Sequence, residues 1–179
     1  MTHPAQTKWC EHIKKNNPGY FRDKRVLDIG SLDVNGNNRY LFDDCEYIGL
    51  DVAPGPNVDV VSIAHEYKPS TPFDVVLSTN ALEHDLYWKQ TLDAMLTFLK
   101  PAGLLFFSVA SAWSEHGTKR TSPNDSGTSQ MGPEWENHYR NFREMDLYKN
   151  LNWNQFFRYG ISTFERDLRF WAVKKANCV

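Results

Sequence analysis

The segment Arg25-Val26-Leu27-Asp28-Ile29-Gly30 restricts the fold of this chain more than any other stretch. A short apolar run ending in glycine, preceded by the turn-forming Asn17-Pro18-Gly19, reads as a buried strand that turns sharply at its end. A second such run, Glu46–Asp51, closes on an acid that stands 21 positions after Gly30. A tight first turn lets backbone approach a ligand closely, and a carboxylate about 20 residues on accepts hydrogen bonds from ribose hydroxyls. Strand, glycine turn, helix, strand and acid is therefore the layout of a nucleotide-type cofactor site. The spacing is not that of G-x-G-x-x-G, because Leu32 stands where a second glycine would admit a pyrophosphate. A dinucleotide is disfavoured.

The rest of the chain continues the alternation. Phe73–Ser78 and Gly103–Ala110 are short, β-branched or aromatic runs bounded by Pro or Gly, and Val58–Ser62 is a weaker strand candidate. Between Glu83 and Lys100, the residues Leu92, Met95, Leu96 and Leu99 recur at helical spacing, and Pro101 is expected to end that helix. The nearly continuous apolar character of Gly103–Ala110 suits a central parallel strand covered on both faces. Residues 111–141 are rich in Ser, Thr, Gly, Asn and Pro and lack periodicity, as a lid-like loop does. Asn141-Phe142-Arg143-Glu144 reads as a capping box opening a helix to about Leu151, with Met145 and Tyr148 on one face. Phe156–Phe164 and Leu168–Lys174, separated by Glu165-Arg166-Asp167, read as an antiparallel hairpin. Its aromatic residues Phe156, Phe157, Tyr159, Phe164, Phe170 and Trp171 read as alternating core positions.

The expected fold is an α/β, Rossmann-like, doubly wound, mostly parallel seven-stranded sheet, with six strands as the alternative. It carries an antiparallel C-terminal hairpin in a three-layer αβα arrangement. The 179 residues form one unit at roughly 100–200 residues per domain, with an N-terminal helical extension over residues 1–24. Composition supports a globular chain: 41% hydrophobic and 23% charged residues lie near ordinary averages. Twenty Lys and Arg against 22 Asp and Glu leave a net charge of −2, which gives no electrostatic footprint for nucleic acid or an anionic membrane. Cys10, Cys45 and Cys178 are far apart and show no CxxC spacing, and the N-terminus has no signal-like apolar core, so a reduced, cytoplasmic chain is expected.

Taken together, VLDIGSLDVNG, EYIGLDVAPGPNVDVVSIAHE, FDVVLSTNALEH, LDAMLTFLKPAGLLFFSVA and HYRNFREMDL resemble class I S-adenosylmethionine-dependent methyltransferases, in particular the type 11, small-molecule-like group. The resemblance covers nearly the whole chain. It implies S-adenosylmethionine as cofactor and S-adenosylhomocysteine as product. By the same resemblance Asp28, Gly30 and Ser31 border the methionine part, Gly36 opens the first helix, Asp51 binds the ribose and Val52 lies against the adenine. Leu32, Ile63 and Ala64 line the same site, and Ser78, Thr79 and Asn80 form the rim below the methyl group. The chain departs from the pattern at Leu32, at Ile63, where many relatives carry an Asp for the adenine amine, and at Pro101-Ala102-Gly103, which replaces Pro-Gly-Gly.

Transfer from a sulfonium needs positioning, and a base where the acceptor is a hydroxyl. His84 in Leu82-Glu83-His84-Asp85 is the first candidate, beside the competing reading of a capping or packed residue; His116 and Tyr139 on the long loop are the second. Trp113, Trp135 and His138 could wall a substrate when the loop closes, and Arg140 could contact an anionic group. The six histidines show no i, i+3 or i, i+4 pairing, so no structural metal is expected. The leading reading is a methyltransferase acting on a small-molecule or glycan-like acceptor. Beside it stand a catalytically silent cofactor-binding module, motivated by Leu32 and Ile63, and a nicotinamide-dependent oxidoreductase, which shares the strand, turn and acid. The oligomeric state is open, with a homodimer through the aromatic hairpin as one arrangement.

Overall fold

The computed structural model describes residues 3–176; Cys178 lies outside the described residues. Seven strands form one sheet in the order β3-β2-β1-β4-β5-β7-β6. They are β1 (Arg25–Ile29), β2 (Glu46–Asp51), β3 (Val60–Val61), β4 (Phe73–Thr79), β5 (Leu99–Ala110), β6 (Phe156–Phe164) and β7 (Asp167–Lys174). The first five are mutually parallel, as β-crossover-β connections require, while β7 runs antiparallel to β5 and pairs with β6 as a hairpin. Phe164 is paired with Asp167, so Asp167 begins the strand and the turn is only Glu165-Arg166.

Among the described residues three α-helices cover the sheet: α1 (Pro4–Asn16), α2 (Trp88–Phe98) and α3 (Glu144–Asn150). Trp9, Cys10 and Ile13 of α1 pack over Val26, Val75, Leu104 and Phe106 on one face. On the other face Leu92, Met95 and Leu96 of α2 and Leu147 of α3 join Leu27, Val76, Leu105 and Phe170. Both layers are apolar because every central strand is hidden from water on two sides. The helix α2 ends at Phe98 rather than at Pro101; Leu99 is already extended (ψ 129°) and pairs with Phe73, in keeping with the bias against helix just before proline.

Several expectations are corrected. No α-helix follows the glycine turn of β1: residues 31–38 are loop, and Arg39–Leu41 form a single 3-10 turn. The Asp33 carboxylate accepts from the Gly36 N–H and the Asn37 side chain, and Gly36 has φ 110°. Short polar side chains thus satisfy the backbone locally in place of a helix. The N-cap of α3 is Arg143, whose N–H donates to Asp146, while Asn141 pairs in both directions with the Trp113 backbone. Leu147 is the buried residue of α3, and Met145 and Tyr148 face solvent. Among the hairpin aromatics Phe156 and Phe170 are buried, but Phe157 is 75% exposed and Tyr159 and Phe164 are also exposed. Burial on β6, an edge strand covered on one face only, is confined to its first residue.

Candidate active site

The strand order reverses between β1 and β4, and in open α/β sheets ligands bind beyond the carboxyl ends of strands at such a point. A cavity lies there. Gly30 after β1, Asp51 at the end of β2 and Asn80 after β4 reach it from below. Asp125–Thr128 and Trp135 of the long loop cover it. Of the residues singled out from sequence, Gly30, Leu32, Asp51, Val52, Ile63, Ala64, Asn80, His84 and Trp135 line the cavity. Gly30 is in the left-handed region (φ 78°), and a Cβ there would stand 2.1 Å from that of Ala81, so this turn tolerates no side chain.

Asp51 is 8% exposed, and its two oxygens accept from the backbone N–H groups of Leu32 (3.0 Å) and Ala53 (3.2 Å). Burial pushes its pKa up, and those N–H groups together with that of Val52 pull it back. Each oxygen keeps acceptor capacity for a ligand hydroxyl. Around it Leu32, Leu50, Val52 and Ile63 give apolar walls. A carboxylate with acceptor capacity to spare, framed by apolar surface, is a set of groups that a ribose and a flat base would fit.

Asp28 lies beneath this floor, and burial raises its pKa to about 7 although Tyr47, which donates its hydroxyl, and Asn38 oppose the shift. Its Oδ1 is buried without a partner. Ser31 is turned away: its hydroxyl lies against Gly49, where an added Cβ would come within 2.7 Å. Gly36 opens a separate cleft beside α1, and Ser78 is fully buried within β4. Thr79 accepts from Asn38 at 2.9 Å.

The rim residue Asn80 has φ 50°, a strained position for a non-glycine residue and one that often marks functional sites. It is held there by Gln6 of α1, whose amide donates to Asn80 Oδ1 (3.0 Å) and to Ser108 Oγ (2.7 Å), while Ser108 also donates to Asn80 (2.7 Å). Sequence reasoning missed Gln6; a polar residue on the apolar face shared by Trp9, Cys10 and Ile13 was the available signal. It also missed Asp167. This fully buried acid accepts from Trp113 Nε1 (2.8 Å) and contacts His3 Nε2 (2.7 Å), tying the long loop and the start of α1 to β7.

His84 sits on a buried 3-10 turn after β4, and burial lowers its pKa to about 3, with His116 and His138 adding to the shift. It is neutral at physiological pH and a weak free base. His116 and Tyr139 do come to it across the fold: the His84 ring lies 5.6 Å from His116 and 5.4 Å from Tyr139. The structure gives Arg140 other partners, namely Asp146 (2.9 Å) and the faces of Trp88 and Phe142, and its N–H donates to the Glu83 carbonyl. Trp113 likewise faces Asp167 and His116, outside the cavity lining. His138 is half-buried, with burial lowering its pKa.

The reversal point, the cavity and the acid at the end of β2 define a Rossmann-like enzyme domain with a nucleotide-type cofactor site. Residues 1–159 match the methyltransferase domain family, and the chain belongs to that family. Among solved structures, the 1,6-didemethyltoxoflavin N1-methyltransferase of Burkholderia thailandensis, with 1,6-didemethyltoxoflavin and S-adenosylhomocysteine bound, is similar. It has a TM-score of 0.64 at 18% identity, over 94% of this chain and 77% of that one. An S-adenosylmethionine-dependent methyltransferase from Clostridium acetobutylicum has a TM-score of 0.64 at 13% identity, over 95% of this chain and 92% of its own. The N-methyltransferase NodS from Bradyrhizobium japonicum, solved with S-adenosylhomocysteine, has a TM-score of 0.61 at 12% identity, over 96% and 88%. At these identities the likeness is one of fold. No curated protein sequence matches the chain. Among the described residues no helix is long and apolar enough to cross a membrane.

Proposed function

We propose that this chain transfers a methyl group from S-adenosylmethionine to a small-molecule or glycan-like acceptor. The observation that carries the reading is the covered cavity at the strand reversal with Asp51 on its floor. Asp51 accepts the ribose hydroxyls, Val52, Ile63 and Leu32 pack against the adenine, and the Gly30 turn admits the methionine part. Asp28, with one oxygen unsatisfied, supports that end from below. Bound there, S-adenosylmethionine would supply an electrophilic methyl carbon for the acceptor nucleophile, with the thioether sulfur as the leaving group that keeps the electron pair. The chain contributes alignment and exclusion of water, which are worth roughly 7–11 kcal/mol when donor and acceptor are well placed. The loop carrying Gly127 and Trp135 covers the cavity, whose wall includes Asn80 and His84.

Calorimetric titration with S-adenosylmethionine, S-adenosylhomocysteine and NADH tests the reading. Both sulfur ligands are expected to bind and NADH is not. Asp51→Ala is expected to weaken the sulfur ligands by roughly 10- to 100-fold, the loss of one or two hydrogen bonds to a charged acceptor. NADH binding alone would move the chain to the nicotinamide class, and unchanged affinity in Asp51→Ala would remove the site assignment.

A further inference from the structure

Beside the cavity stands a group of side chains that methyl transfer as described does not use. Glu83 is fully buried, and its carboxylate oxygens have no side-chain partner; burial raises its pKa to about 7, opposed by the backbone N–H groups of Glu83 and Ala110. His84 is 4% exposed, with Nδ1 also unpartnered. His116 places Nδ1 at 3.0 Å from the Ser114 carbonyl. A carbonyl only accepts, so this nitrogen carries the proton and Nε2 is left with a free lone pair. One donor atom from each of Glu83, His84 and His116 lies within 4.8 Å of the other two.

A buried carboxylate with no cation beside it is costly unless a proton or a metal ion neutralises it. Among the described residues no Lys or Arg lies within 4.0 Å of Glu83: Arg140 is committed to Asp146, and Arg169 lies by Asp167. We propose that Glu83, His84 and His116 bind one divalent transition-metal ion, and that its remaining coordination position takes an oxygen donor of the methyl acceptor from the cavity that His84 lines.

The chemistry of the donor set selects the ion. Two imidazoles and one carboxylate suit zinc, iron or manganese, whereas magnesium and calcium take mostly oxygen ligands. Three protein ligands with a position left open is the pattern of reactive rather than structural zinc sites. A tetrahedral ion with bonds of about 2.1 Å sets its donors about 3.4 Å apart, so the group closes by little more than ~1 Å on binding. His116, on the long loop, is the half-buried ligand of the three, whereas Glu83 and His84 are buried. Spacing rules missed the group because Glu83 and His84 are adjacent on a 3-10 turn and the third donor arrives from another part of the chain.

The part of this inference that concerns the acceptor rests on the methyltransferase reading; ion binding does not. An ion at this point lowers the pKa of a bound hydroxyl. The hydroxyl proton then leaves to solvent, the oxygen–carbon bond forms and the carbon–sulfur bond breaks with its pair on sulfur.

The test uses chelator-treated full-length protein titrated with Zn²⁺, Mn²⁺ and Mg²⁺ by calorimetry, with metal analysis after gel filtration. Binding of one equivalent of Zn²⁺ is expected, with Mg²⁺ failing to compete. His116→Ala, a change at a partly exposed loop position, is expected to reduce Zn²⁺ affinity at least 100-fold and to leave S-adenosylhomocysteine affinity within about twofold. Glu83→Gln should lose Zn²⁺ as well. The d–d bands of the Co²⁺-loaded protein are expected to shift when acetohydroxamate, a simple oxygen-donor probe, is added. Equal Zn²⁺ affinity in the wild type and His116→Ala, or no stoichiometric binding, overturns the ion site; unchanged Co²⁺ bands overturn its open position. Zn²⁺ binding without S-adenosylhomocysteine binding would leave the ion site standing while the methyltransferase reading fell.

Discussion

The side-chain amide of Gln6, in the N-terminal helix, donates a hydrogen bond of 3.0 Å to Asn80 at the end of β4, joining residues 74 positions apart. This bond links α1 to the rim of the cavity, because Asn80 holds a left-handed backbone (φ 50°) that needs outside support.

Gln6→Ala leaves Asn80 and Ser108 short of a donor in a fully buried setting. It is expected to lower stability by about 1–3 kcal/mol. Because the loss falls at the rim, S-adenosylhomocysteine affinity should fall as well. Urea denaturation and calorimetry on the same variant check both, and an unchanged midpoint would show that the network contributes nothing.

The loop over the cavity is packed so closely that Gly127 has no room for a side chain. A Cβ there would come within 2.6 Å of Asp51 Oδ1 and 3.0 Å of the Ala53 Cβ. Gly127→Ala is therefore expected to lift the loop, weakening cofactor binding while the core remains intact. Limited proteolysis should show faster cleavage within residues 111–141 at an almost unchanged melting temperature. Equal cleavage rates in the two proteins would mean that the loop does not rest on Asp51.

Asp28 sets part of the pH dependence. Burial raises its pKa to about 7 in the folded chain from an ordinary value near 3.8. The folded state therefore binds a proton between those values that the unfolded chain has lost, and Asp28's contribution to stability falls as pH rises through that window. The local slope is at most ~1.4 kcal/mol per pH unit. His84, lowered to about 3 by burial, acts in the opposite sense, since stability is lost as pH falls below its ordinary 6.5. The difference between wild type and Asp28→Asn isolates the first effect. Denaturation at pH 4.5 and 7.5 should favour the variant more at the higher pH, and a constant difference would contradict the assignment.

On the sheet, Phe170 and Phe157 provide a contrast within one hairpin. Phe170 is fully buried, with its ring 5.1 Å from Phe107 and 5.6 Å from Phe156, whereas Phe157 is 75% exposed. Phe170→Ala is expected to cost about 3–5 kcal/mol. Phe157→Ser should fall within ~0.5 kcal/mol of the parent. Comparable losses in chemical denaturation would mean that β6 is covered on both faces.

The strands β1, β2, β4 and β5 were legible in the amino-acid sequence because a buried parallel strand is a continuous apolar run, and turn residues bound each one. The acid on the cavity floor was legible for the same reason: Asp51 stands at the end of such a run, and strand ends converge where the sheet order reverses. Legibility failed where side chains competed with the backbone. Asp33 and Asn37 turned the stretch after Gly30 into a loop where the pattern suggested a helix, and Arg143 capped α3 in place of Asn141.

What the sequence by itself determined is thus the class: a doubly wound sheet with a glycine turn after the first strand and a carboxylate at the end of the second. Only the tertiary structure decided the surroundings of that site. Gln6 reaches Asn80 from the N-terminal helix, Gly127 and Trp135 cover Asp51 from the long loop, and Asp167 gathers His3 and Trp113. Glu83, His84 and His116 meet by the same long-range packing. The physical reason is the range of the forces. Periodicity and turn chemistry act over a few residues, whereas these contacts close loops of tens to more than a hundred residues, and they form only after the core has fixed where each strand ends.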